Sequence, residues 1–241
     1  MQTLTDSLFK QISDSGVEIV SDTCTKIESS GKSITVDSLR GPVDIPADHI
    51  VSAIPSSGLS KILKHSPLND YLREIPAVDV GVVNLVFNGH VIENPGFGFL
   101  VPEPQKACGI LGVVFDSSAM PAQDLAGKTT TRLTVMLPIP TAKKNSEEQT
   151  KSQLLKTSLE ALGLFLNIPA GELLEHHVHI HHQCIPQYNV GHSQLVSRIQ
   201  NQLQDLPFLS LIGASYKGVA INDIVKEAKY TADQIRAMFY L

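Results

Sequence analysis

The sequence predicts an α/β fold interrupted by an α+β insertion, and three observations carry that expectation. A short apolar run near the C-terminus, Phe208 to Ile212, is followed by the small residues Gly213, Ala214 and Ser215 and then by a long helical pattern. A helical stripe near the N-terminus feeds a set of short strand-like segments. Between these ends the pattern changes to several extended runs in succession.

The C-terminal segment is the most informative. Phe208 to Ile212, broken only by Ser210, reads as a strand buried on both faces, and Pro207 is tolerated at its start. Gly213 to Ser215 are small enough to let backbone approach a ligand at the carboxyl end of a strand. From Ile221 the apolar positions Ile221, Val225, Ala228, Ala232, Ile235 and Phe239 keep helical spacing for about five turns, opposite Asp223, Glu227, Asp233 and Arg236. One apolar stripe is therefore expected to be buried, with Asn222 and Asp223 suited to the first turn. Such a helix start presents free N–H groups to an anionic or electron-rich ligand. A plain strand–turn–helix crossover without a ligand fits the same spacing. No glycine-rich strand–turn–helix occurs near the N-terminus, so the chain reads as the second half of a dinucleotide-binding protein.

At the N-terminal end, Met1, Leu4, Leu8 and Ile12 form a helical stripe that Gly16 can terminate. Val17 to Val20, Thr23 to Ile27 and Ser33 to Val36 read as strands, with a turn at Ser30-Gly31. Asp48 to Ala53 is a further strand that must stop at Pro55, and Ser56 to Leu63 turns into helix. In the middle, Val78 to Phe87, Phe97 to Val101, Ile110 to Phe115 and Arg132 to Leu137 read as strands of a mixed sheet. Polar Lys143 to Thr150 follows. A helix from Glu147 to Phe165 comes next, lined by Leu154, Leu155, Leu159, Leu162 and Phe165, and then a strand from Leu173 to Gln183. Residues 1–64 and 185–241 are expected to form one unit and residues 65–184 the other.

Composition excludes several classes of function. The 241 residues carry a formal net charge of -5, with 42% hydrophobic and 18% charged content, enough for a sizeable core. Only 19 Lys plus Arg, no basic run longer than Lys143-Lys144 and no Trp argue against a nucleic-acid partner. Cys24, Cys108 and Cys184 form no CxxC pair, which points neither to a disulfide framework nor to a cysteine-based zinc site. No apolar stretch approaches about 18 residues, so any membrane association is peripheral.

Alternation along a strand puts His177, His179 and His181 on one face, a spacing compatible with a metal such as zinc. Such spacing along a single strand usually makes a solvent-facing row, with Glu175 the one carboxylate near in sequence, and no metal is assigned. Asp116, Asp124, Glu172 and Glu175 have no partner at a mechanistically specific spacing. No G-x-S-x-G, HExxH or GxxxxGK[ST] motif is present.

GASYKGVAINDIV, from Gly213 to Val225, closely resembles the C-terminal flavin-binding signature of protoporphyrinogen oxidases. DHIVSAIPSSGL (Asp48 to Leu59), GFGFLVP (Gly96 to Pro102) with GILGVVFDS (Gly109 to Ser117), and HIHHQCIPQYNVGH (His179 to His192) are similar in order and spacing, which agree with a eukaryotic type. The resemblance covers essentially the whole chain. It implies an amine-oxidase-like fold in which a partial FAD-binding domain (1–64 and 185–241) flanks a mixed-sheet substrate-binding domain (65–184). It also implies FAD- and oxygen-dependent conversion of protoporphyrinogen IX to protoporphyrin IX in haem biosynthesis, with release of H2O2.

By that resemblance Val219, Ala220 and Ile221 lie against the flavin and its ribityl chain, and Cys24 stands where the family usually has a valine at the adenine end. Phe97, Leu100, Val114 and Met136 fall in segments lining the tetrapyrrole pocket, whose propionates need a cationic partner. Tyr188 and His192 are read as structural supports, and no catalytic side chain is assigned. The eukaryotic members are typically attached to the mitochondrial inner membrane, on its intermembrane-space side, and are often dimeric.

The family pattern begins with a buried strand and GxGxxG turn for the FAD pyrophosphate, then an arginine that meets a substrate propionate; neither is found here. The chain is therefore expected to be a fragment or an incomplete gene model, unable to retain stoichiometric FAD alone. Two other readings stand beside the oxidase: a different FAD amine-oxidase-like enzyme, and a catalytically silent truncated paralogue acting as a binding protein.

Overall fold

The computed structural model describes residues 2–28, 33–64, 66–94, 96–124, 127–139 and 146–239. Met1, the Ser30-Gly31 turn, His65 and Lys143 to Asn145 lie outside the described residues. The chain divides into two compact units, residues 1–75 with 189–241 and residues 76–188.

The first unit opens with helix α1 (Gln2–Asp14), which ends at Gly16 with φ +81°. Leu4, Leu8 and Ile12 recur at helical spacing, yet no described residue of α1 is buried. Val17 to Val20 is not a strand. It pairs with nothing in the described sheets and lies open to solvent, so its β-branched residues express a preference without a partner. Strands β1 (Thr23–Ile27), β2 (Ser33–Ser38) and β3 (Gly41–Pro46) form an antiparallel sheet in that order. β3 had no counterpart in the sequence reading, because Pro42 and Pro46 mask it. Strand β4 (Ile50–Ser52) stops short of Pro55, and helices α2 (Ser56–Ile62) and α3 (Leu68–Arg73) follow.

The second unit is built on a five-stranded sheet. Its strands are β5 (Ala77–Asn88), β6 (Gly98–Leu100), β7 (Gly112–Val114), β8 (Thr130–Pro138) and β9 (Leu173–Pro186), ordered β6-β7-β8-β5-β9 and antiparallel throughout. A short helix, α4 (Asp116–Ala119), follows β7. Helix α5 (Glu147–Leu166) covers one face of the sheet. Its start is fixed by a capping box, in which Ser146 Oγ accepts the Gln149 N–H and Gln149 Oε1 accepts the Ser146 N–H. Val83, Leu85, Phe87, Leu133, Val135 and Leu137 alternate into the core beneath Leu154 and Leu162.

The chain then returns to the first unit with helix α6 (His192–Leu203), strand β10 (Leu209–Leu211) and helix α7 (Ile221–Phe239). β10 pairs in parallel with β4, Leu209 opposite Ile50. The core here gathers Leu59, Leu63, Leu68, Leu72, Ile199 and Leu209.

The passages between units fall later than the sequence pattern suggests, at 75/76 instead of 64/65 and at 188/189 instead of 184/185. α3 packs on α2 and α6, and so stays with the first unit. Ala77 pairs with Pro186, and the Gln187 N–H donates to the Pro76 carbonyl, holding 185–188 to the sheet.

α7 also departs from expectation. Ile221, Val225 and Phe239 of the predicted stripe are exposed, and Glu227 is the helix's one buried residue among those described. Glu227 turns inward to accept the Gly213 N–H.

Candidate functional site

At the end of β10 the Ile212 N–H donates to the Ser52 carbonyl at 3.0 Å, and the chain turns at Gly213, whose φ is +104°. A Cβ at Gly213 would stand 3.2 Å from the Ala53 carbonyl oxygen, so both conformation and space favour glycine. The Gly213 N–H donates to Glu227 Oε2 at 3.2 Å, reaching from the turn to the second turn of α7. That bond turns Glu227 inward and the Val225 side outward. Lys217 Nζ stands 3.5 Å from Glu227 Oε1 and offsets the buried charge.

Two further contacts hold the turn. Ser215 Oγ accepts the Ser56 N–H at 3.1 Å, tying the turn to the start of α2. Tyr216 is buried, its carbonyl 3.0 Å from His192 Nε2. Burial first, and the nearby Glu227 carboxylate second, push the Tyr216 phenol far above its ordinary range, so it stays protonated.

Beyond the turn, Val219, Ala220 and Ile221 are all exposed, Val219 at 53%. The Ala220 carbonyl accepts the N–H groups of Asp223 and Ile224, which makes Ala220 the residue at which helical bonding begins. The N–H groups that precede Asp223 at the α7 start have no intrahelical acceptor, and they stand beside the exposed apolar side chains of Val219 and Ile221. A Cβ on Gly218 would collide with the Asp223 side chain, which folds back over the loop. This exposed helix start, braced by a pinned turn, is suited to an anionic or electron-rich group.

Cys24 is half-buried in β1, opposite Val36, in a different sheet from the β4–β10 pair. Leu100, Val114 and Met136 lie together in the second unit, on the sheet face turned away from α5. Leu100 is 79% exposed, whereas Val114 and Met136 are half-buried. Phe97, 75% exposed, precedes β6, and its carbonyl accepts the Phe115 N–H at 2.9 Å.

Sequence reading marks Ser215 for its small size alone, and Glu227 and Tyr216 escape it as individual parts of the site. Periodicity assigns Glu227 to a polar face, and no local signal announces that this face turns inward. Among the described residues no group of three or more His, Cys, Asp or Glu side chains gathers to hold a metal.

The model of the flavin containing amine oxidoreductase family matches residues 1–236. Over 204 residues the chain is 42% identical to a protoporphyrinogen oxidase of Bos taurus, covering 79% of this chain and 41% of the relative. It is 39% identical over 199 residues to the protoporphyrinogen oxidase of Homo sapiens, covering 78% and 40%. A coproporphyrinogen III oxidase of Bacillus subtilis matches at 27%, over 95% of this chain and 48% of the relative. The chain spans about two fifths of the length of the mammalian relatives.

Among solved structures, reduced UDP-galactopyranose mutase superposes with a TM-score of 0.64 at 14% identity, covering 80% of this chain and 40% of that one. Cyclohexylamine oxidase from Brevibacterium oxydans gives 0.59 at 12%, covering 89% and 48%. Both likenesses bear on the fold.

Proposed function

The chain belongs to the flavin-containing amine oxidoreductase family, and on that premise we propose that it works in the FAD-dependent oxidation of protoporphyrinogen IX to protoporphyrin IX in haem biosynthesis. The observation that carries this reading is the 42% identity to a relative named for that reaction. The open helix start and the open sheet face support it, one suited to a flavin and the other to a broad apolar ring.

FAD supplies the electron-accepting group when bound; O2 is the final acceptor and H2O2 the co-product. The chain's own residues prepare the two surfaces. Val219, Ala220 and Ile221 meet the flavin with backbone and apolar side chains, and the positive end of the α7 dipole favours negative charge at that edge. Glu227 keeps the preceding turn in register. Cys24 contributes at the adenine end, filling about the volume of a small apolar side chain.

In residues 76–188, Phe97, Leu100, Val114 and Met136 bind the macrocycle by apolar contact and exclude water from it. The two units thus divide the work, the first as the FAD-binding part and the second as the substrate-binding part. The native protein associates peripherally with the mitochondrial inner membrane on its intermembrane-space side and forms a homodimer. Among the described residues no helix is long and apolar enough to cross a membrane.

The test is turnover by the native protein containing residues 1–241, saturated with FAD. Porphyrin fluorescence and peroxide should both rise with protoporphyrinogen IX and stay flat with benzylamine or spermine. Turnover of an amine in place of the tetrapyrrole would shift the assignment to another oxidase of the family, and binding of neither flavin nor porphyrin would favour a silent binding protein.

A further inference from the structure

The register of the five-stranded sheet places the unassigned histidines in line with the apolar residues of the proposed substrate face. One row of paired residues runs Leu100, Gly112, Met136, Val82, His179 across all five strands. The next runs Gly98, Val114, Thr134, Asn84, His177, and His181 pairs with Val80 one step along. All these side-chain positions lie on the face opposite α5, because the intervening Val83, Val135, Val113 and Val178 pack toward the core. The row through Leu100, Met136 and Val82 is therefore aliphatic and ends in imidazole on β9.

The polar groups on this face are not equivalent. Asn84 Nδ2 donates to Thr134 Oγ1 at 2.8 Å, and Thr134 Oγ1 donates to Asp116 Oδ2 at 2.7 Å, so that chain is satisfied internally and ends in a carboxylate on the β7–β8 side. His177 Nε2 lies 2.9 Å from Glu175 Oε1, and His182 Nδ1 lies 2.9 Å from Asp79 Oδ2. Among the described residues, His179 and His181 instead face each other, with ring centroids 6.4 Å apart and planes 30° apart, and both are exposed. An imidazole donates an N–H whether neutral or protonated. The next row of this face runs Arg132, Val86, Glu175, and its charges are spoken for, Arg132 by Asp124 and Glu175 by His177; a carboxylate arm lying on the face finds its open N–H donors at His179 and His181.

We propose that His179 and His181 receive a carboxylate arm of the tetrapyrrole, orienting a ring seated over Val82 and Met136 with its propionates toward β9. This deepens the substrate reading above and rests on it. Met136 and His179 are two strand spacings apart, about 10 Å, a span suited to an amphipathic ligand with an apolar body and an acidic edge. The histidines are positioning residues and take no part in the redox step.

The experiment titrates the chain with protoporphyrin IX and with its dimethyl ester, following porphyrin fluorescence. The parent protein should bind the diacid more tightly than the diester. The double variant His179→Ala/His181→Ala should weaken the diacid by about five- to tenfold, leave the diester unchanged and so abolish the preference. His179→Gln/His181→Gln, which keeps N–H donors, should restore part of it. An equal loss for both ligands, or no preference in the parent, would overturn this role for the histidines while leaving the apolar face intact. Binding of neither porphyrin, or binding indifferent to Met136→Asp, would overturn the substrate face itself and the histidine role with it.

Discussion

Helix α5 of the second unit and helices α1 and α7 of the first treat their apolar stripes in opposite ways. In residues 76–188 the helix α5 sets Leu154 and Leu162 onto a sheet whose inward residues Val83, Phe87 and Leu133 are fully enclosed. In residues 1–75 and 189–241 the helices α1 and α7 leave Leu8 49% and Val225 61% exposed. Both helices have the same kind of apolar periodicity as α5. Periodicity thus specifies that a helix forms and which stripe is apolar, whereas burial of that stripe depends on what the rest of the chain lays against it. In α7 a single carboxylate reaching for the Gly213 N–H decides the rotation.

The sharpest way to break this contrast is to truncate one side chain in each unit. Leu133→Ala should cost about 2–5 kcal/mol of unfolding free energy, and Val225→Ala should stay within about 0.5 kcal/mol. Urea denaturation of both variants checks it, and similar losses would mean that the α7 stripe is covered in solution.

A smaller effect is expected at Gly98. Its φ of +140° and the Val113 carbonyl oxygen, into which a Cβ would run, make glycine obligatory for the β6–β7 pairing. Gly98→Ala should cost about 1–3 kcal/mol in backbone strain and raise amide exchange in β6 and β7 while sparing β9.

The smallest effect concerns pH. Asp79 fills the irregularity between β5 and β9, accepting the Gln183 N–H at 2.7 Å beside His182. The Gln183 N–H first, then His182, hold its carboxyl below the ordinary 3.8. Its folded value is depressed, so this stabilisation is present above the unfolded value and disappears as pH falls through the folded one. Asp79→Asn should therefore lower thermal stability at neutral pH and converge on the parent in strong acid. A difference that persisted into acid would assign the loss to packing.

Much of this was legible in the residues. The strands from β5 to β9 are legible as extended runs separated by Gly, Pro and Asn, and α5 by its leucines, whereas the Ser146–Gln149 cap emerges from the structure. β3 was hidden by Pro42 and Pro46, both tolerated there because one side of that strand has no partner. α3 and α6 were passed over because they are short or polar. Val17 to Val20 reads as a strand, yet β structure requires a partner that local preference cannot supply.

The site divides the same way. GASYKGVAIND marks the turn at Gly213 and the start of α7, and GFGFLVP marks β6. Glu227 lies fourteen residues from its partner Gly213 and on the polar side of its helix, so only three-dimensional placement exposes its role. The histidine row was visible as a row, but its alignment with Met136 and Leu100 follows from strand order, which no local pattern encodes.

The central claim is that the open face of the five-stranded sheet binds the tetrapyrrole while the Val219–Ile221 loop serves the flavin. Met136→Asp in the FAD-loaded native protein tests it most directly, with flavin absorbance and protoporphyrin formation followed in one sample. The flavin spectrum should be retained and porphyrin formation should fall at least about tenfold, because a carboxylate replaces apolar contact beneath the ring. An unchanged rate with an unchanged spectrum would contradict the account.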